Sequence, residues 1–96
     1  MAQTHTDPAP LCGRAEFLDL LRQLTQDEAP RVFSLCAEVG ERYDGHVEFW
    51  GMAFDDHVDV ISASGRLRGT FRSAEAALRR LSGGGRLHLV WVDGRR

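Results

Sequence analysis

Residues 31 to 71 hold four short segments rich in apolar and β-branched side chains, separated by turns of two to six residues, and this spacing limits the fold more than any other feature. Strands joined by so few residues pair antiparallel, because a parallel return needs a crossover of a dozen residues or more. The segments are 31–39, 46–54, 57–63 and 66–71. Their connections are GERYDG at 40–45, the pair Asp55-Asp56 and the pair Ser64-Gly65. Aspartate, serine and glycine are turn formers for known steric and hydrogen-bonding reasons.

Helical patterns flank this run. In 13–26, Phe17, Leu18, Leu21 and Leu24 fall on one stripe with Leu20 at its edge, opposite Glu16, Asp19, Arg22 and Gln23. Pro30 closes the pattern, since proline disfavours helix in the residue before it. In 74–81, Ala74, Ala77, Leu78 and Leu81 form the apolar stripe. Ser73 supplies an N-cap, Glu75 suits the positive helix end and Arg79 and Arg80 suit the negative one. The glycines at 83–85 stop it, and 86–92 reads as a last strand with Leu87, Leu89 and Trp91 alternating against His88, Val90 and Val92. The order α-β-β-β-β-α-β predicts an α+β fold with a mainly antiparallel sheet of four to five strands. Residues 13–93 make one domain, and the polar stretch 1–12, with Pro8 and Pro10, reads as a flexible N-terminal tail.

Side chains alternate across a strand, so the turns assign the faces. With Asp55-Asp56 as a two-residue loop, Trp50, Met52 and Phe54 share a face with His57, Asp59 and Ile61. Phe49 and Ala53 share the other face with Val58 and Val60. The Ser64-Gly65 turn adds Leu67 and Phe71 to the Phe49 face, and Arg66, Arg68 and Thr70 to the Trp50 face. Extension through 40–45 adds Phe33, Leu35 and Ala37 to the Trp50 face, and Val32, Ser34, Cys36 and Val47 to the Phe49 face. The Phe49 face is then the core beneath the second helix. The Trp50 face has an apolar centre of Phe33, Leu35, Trp50, Met52 and Ile61 inside a charged rim, which is the layout of a protein interface. Either the first helix covers it, making a three-layer domain, or it is the contact surface for a second copy or another protein. The last strand poses the same choice. Apolar on both sides, it fits the interior of the sheet. At an edge, Leu89 and Trp91 would mark a strand that can pair with another chain.

Motifs for chemistry are missing. No P-loop, G-x-G-x-x-G, H-E-x-x-H or G-x-S-x-G occurs, and Cys12 and Cys36 are far apart and outside any C-x-x-C pair. His46 with Glu48 and His57 with Asp59 offer ligand types, but opposite ends of the hairpin keep them from one ion. No catalytic residue, metal or small-molecule cofactor is assigned. All twelve basic residues are arginine against fourteen acids, for a net charge of −2. A GC-rich genome explains the arginines without invoking nucleic acid. Yet Arg66, Arg68, Arg72, Arg79, Arg80 and Arg86 face only Glu75 within their stretch, so a phosphate-tracking surface is the second reading. No apolar run is long enough to span a bilayer, and no signal peptide is evident, so a cytoplasmic location and no membrane partner are expected. The class expected is therefore a non-enzymatic interaction or regulatory module of the bacterial cytoplasm. Self-association is its first candidate mode, because a 96-residue chain builds only a thin core.

Overall fold

The aspartate pair at 55 and 56 forms a tight turn, and the Phe54 amide donates to the His57 carbonyl at 2.8 Å. In the computed structural model, which describes residues 13–94, this turn joins β2 (Asp44–Ala53) to β3 (Val58–Ser62). Trp50 lies opposite Ile61, Met52 opposite Asp59 and Gly51 opposite Val60, the register that the turn predicts. β1 (Arg31–Val39) precedes them and β4 (Arg68–Phe71) follows. The β3–β4 turn is organised by Ser62, whose hydroxyl accepts from the amides of Arg66 and Leu67 at 3.2 and 3.1 Å. The last strand, β5 (Leu87–Trp91), pairs with β1. All neighbours are antiparallel in one sheet of order β4-β3-β2-β1-β5. The α+β order read from the sequence is the order observed. The expected tail, 1–12, lies outside the described residues.

One open choice is decided and one expectation is corrected. The last strand is at an edge, beyond β1, and does not sit inside the sheet. The β1 faces are also exchanged. Leu35 pairs with Phe49 while Cys36 pairs with Val47, which leaves Glu48 as an extra residue in β2. Such a bulge shifts the register by one, and a shift of one sends each side chain through to the opposite face. Phe33 and Leu35 therefore join the Phe49 face. Val32, Ser34 and Cys36 join the Trp50 face, and Val47, opposite Cys36, goes with them.

α2 (Ala74–Ser82) covers the Phe49 face. Ser73 caps it, its hydroxyl accepting from the Ala76 amide at 3.0 Å. The small Ala74 and Ala77 let the helix lie close, with Leu78 and Leu81 reaching into the same core. The sheet answers with Phe33, Leu35, Val58 and Val60, and with Phe49, Phe71, Leu87, Leu89 and Trp91 at the margin. Phe33 and Leu35 are fully buried, and each such side chain contributes roughly 1.5–3 kcal/mol. The Phe33 ring lies over Gly51, where a Cβ would come within 2.1 Å of its Cζ atom. The Trp91 ring meets Phe33 with centroids 5.1 Å apart, and the Arg31 guanidinium lies 4.0 Å from the Trp91 centroid.

α1 (Arg14–Glu28) packs on neither face, and none of its residues is buried. Ala29 follows in an extended conformation (φ −61°, ψ 133°) and Pro30 leads directly into β1. The molecule is elongated, 64 × 23 × 22 Å.

Candidate protein interface

With α2 on one side and α1 off the sheet, the other face is left open by the described residues. β2 contributes Trp50 and Met52, β3 Ile61 and Asp59, β4 Arg68 and Thr70, β1 Val32 and Ser34, and β5 Val90 and His88. Trp50 and Met52 are 43% and 44% exposed, and Val32 and Val90 are exposed beside them. A shallow depression of ≈ 700 Å³ lies here, lined by Val32, Trp50, Met52, Ile61, Arg68 and Thr70 among others. Ser34, at the centre of the face between Trp50 and Val90, is buried by its neighbours, with its hydroxyl 3.3 Å from the Cys36 thiol.

Polar side chains frame the face and are held in place. Thr70 donates to Asp59 at 2.9 Å across the β3–β4 pair. At the hairpin tip His57 stacks on Phe54, centroids 5.0 Å apart, while its Nδ1–H donates to Asp56 at 2.6 Å. That hydrogen bond raises the His57 pKa above the ordinary histidine value and lowers that of Asp56. At the opposite end the Glu38 carboxylate accepts from His88 Nε2 and from the Arg42 amide, both at 2.9 Å. These contacts hold it below the usual carboxylate range, the His88 bond most.

Of the residues expected at an interface, Trp50, Met52 and Ile61 lie together on the open face. Phe33 and Leu35 do not, because the bulge at Glu48 carries them into the core. Leu89 and Trp91 also face the core, partly buried under α2. Val90 occupies the open side of β5 instead. Val32, Ser34, Cys36, Val47 and Val90 are open-face residues that sequence reasoning missed. The alternation of β5 was visible, but nothing in the sequence marks the bulge.

The six arginines of the nucleic-acid reading divide. Arg72, Arg79 and Arg80 gather around a depression of ≈ 500 Å³ beside Phe71 and Ala76. Arg68 stands on the open face, and Arg86 donates across the sheet to the Gly40 carbonyl. Arg66 occupies the β3–β4 turn. Three of the six thus line one depression together.

Among the described residues no group of three or more His, Cys, Asp or Glu side chains is placed to hold a metal ion. His46 and Glu48 pair with each other at 2.9 Å, apart from His57 and Asp59. Cys12 lies outside the described residues. Among the described residues no helix is long and apolar enough to cross a membrane. Comparison with protein-family models, curated proteins and solved structures finds no significant match to this chain.

Proposed function

We propose that this chain is a non-enzymatic protein-binding module that acts through the open face of its sheet. One observation carries the reading: Trp50 and Met52 stand half exposed at the centre of a face that no described element of the chain covers. Tryptophan and methionine are enriched at contact surfaces, because they offer large contact area and adaptable packing. The polar frame of Asp59, Thr70, Arg68 and His57 supplies a rim that directs an occupant without closing the centre.

Magnitudes limit what can bind. Full burial of a large apolar side chain contributes roughly 1.5–3 kcal/mol, so finishing the burial of the four half-exposed ones, Val32, Trp50, Met52 and Val90, contributes about 3–6 kcal/mol. Association costs an estimated 4–15 kcal/mol in lost freedom. A flat partner that brings no apolar surface of its own would bind weakly. The occupant that fits is an amphipathic element with large aliphatic or aromatic side chains.

The test is the size of the assembly that contains the full chain in an extract of its own cells, measured by sedimentation. The wild-type chain is expected in a complex larger than its own 10.7 kDa, and Trp50→Glu is expected to release it as a folded monomer. A wild-type monomer, or a complex unaffected by Trp50→Glu, refutes the reading.

A further inference from the structure

Among the described residues the protein has a second unpartnered apolar surface besides the open face. On α1, Phe17, Leu18, Leu20, Leu21 and Leu24 are between 41% and 55% exposed. A helix of about 15 residues is marginal in water without tertiary packing, so this one needs a surface to lie on. From the structure we infer that α1 of one copy lies across the open face of a second copy, and that the exchange is reciprocal about a two-fold axis. The inference rests on the interface reading above and names the occupant.

Four observations select this occupant. The first is size. Fifteen helical residues span about 22 Å at 1.5 Å each. Five strands at about 4.8 Å spacing give a sheet about 19 Å wide. The helix thus crosses the whole face and stops. The second is the connection. Ala29, which is extended, and Pro30, whose ring fixes φ, are the only residues between α1 and β1, and so stiff and short a connection holds the helix off its own sheet. The root of the helix also discourages folding back: Asp27 and Glu28 already line a depression with Asp55 and Asp56 of the chain's own hairpin tip, and like charges would be pressed closer. The third is charge. α1 has two arginines against four acids, while the open face presents Arg68, which forms no ion pair among the described residues, beside an Asp59 that His57 and Thr70 already engage. The fourth is the amount of surface. Each copy brings the five stripe residues of α1 and the five of its open face (Val32, Trp50, Met52, Ile61 and Val90), which is a fitting apolar centre for a standard interface of about 20–30 residues a side. A two-fold axis satisfies both surfaces of both chains and leaves none open to further addition.

The experiment measures the mass of the purified full chain by light scattering and sedimentation equilibrium, for the wild type, Leu21→Glu, Trp50→Glu and an equimolar mixture of the two variants. The wild type is expected at twice 10.7 kDa. Each variant alone is expected to be a monomer with an unchanged β-sheet circular dichroism signal, since Leu21 and Trp50 are both outside the buried core. The mixture is expected to regain dimer mass in part, at higher protein concentration than the wild type needs, because one of its two contacts sets the intact helix of the Trp50→Glu chain on the intact face of the Leu21→Glu chain. Met52→Glu replaces Trp50→Glu if the latter does not fold. A dimer broken by Leu21→Glu alone would mean helix–helix pairing. One broken by Trp50→Glu alone would mean face-to-face pairing, and either result overturns the exchange. Loss of dimer in both variants without recovery on mixing overturns it too. A purified wild-type monomer overturns the exchange while leaving the interface reading intact, provided that the Trp50-dependent complex in extract persists. A monomer in both settings overturns both.

Discussion

Replacing Gly51 by alanine probes the core face where it is tightest. The added Cβ would lie 2.1 Å from Phe33 Cζ and 2.5 Å from both Cε atoms, whereas ordinary carbon contacts are near 3.5–4.0 Å. The ring must therefore move by more than an ångström, yet Phe33 is fully buried and Trp91 packs against it. Overpacking of this kind costs about 1–3 kcal/mol, and complete expulsion of the ring would approach the roughly 3–5 kcal/mol of a Phe→Ala change. Alanine also removes glycine's excess freedom in the unfolded chain, which offsets about 0.5–1 kcal/mol. The net expectation is a loss of about 2–3 kcal/mol. For a domain of this size that lowers the melting temperature by about 10–20 °C. Urea titration should show a lower midpoint with an unchanged slope. Phe33→Leu removes the colliding ring atoms, so the double variant should be more stable than the sum of the single losses by about 1 kcal/mol or more. A Gly51→Ala protein within about 0.5 kcal/mol of wild type, or strict additivity in the double variant, would refute the packing described here.

Two further tests address the helix cap and the hairpin tip. Ser73→Ala removes the hydroxyl that accepts from the Ala76 amide and should lower stability by about 1 kcal/mol, with Ser73→Asp close to wild type; equal losses in both would show that the cap contributes nothing. His57 should titrate above the ordinary histidine value of 6.5, read from its imidazole NMR signals, and should return toward that value in Asp56→Asn. Because its folded pKa is raised, its stabilising contribution is complete below pH 6.5 and is lost as pH rises through the folded pKa. A His57 titration at or below 6.5 in the wild type would contradict the Asp56 hydrogen bond.

Much of the fold is legible in the residues themselves. Asp55-Asp56 places Trp50 and Met52 on one face and Phe49 on the other, and Ser73 and the Ala74, Ala77, Leu78, Leu81 spacing define α2. Those signals are local: a turn, a cap, a periodicity. What the sequence hides is non-local. The bulge at Glu48 depends on how β1 and β2 count against each other, and no residue type there announces it. The edge position of β5 depends on which strand it pairs with, and Leu87 to Val92 is apolar enough for either place. The separation of α1 from the sheet is equally silent, because its leucine stripe would look the same whichever chain it packed on.

The extra residue at Glu48 has a consequence for how this chain tolerates changes in length. Removing Glu48 itself would close the ladder into a regular one, with Cys36 still opposite Val47, Leu35 still opposite Phe49 and Phe33 still over Gly51. Removing Ser34 from β1, where there is no spare residue, would instead set Phe33 against Trp50 and swing its ring to the uncovered side. The pair of strands therefore has slack at one position only: loss at 48 should be mild and loss at 34 severe.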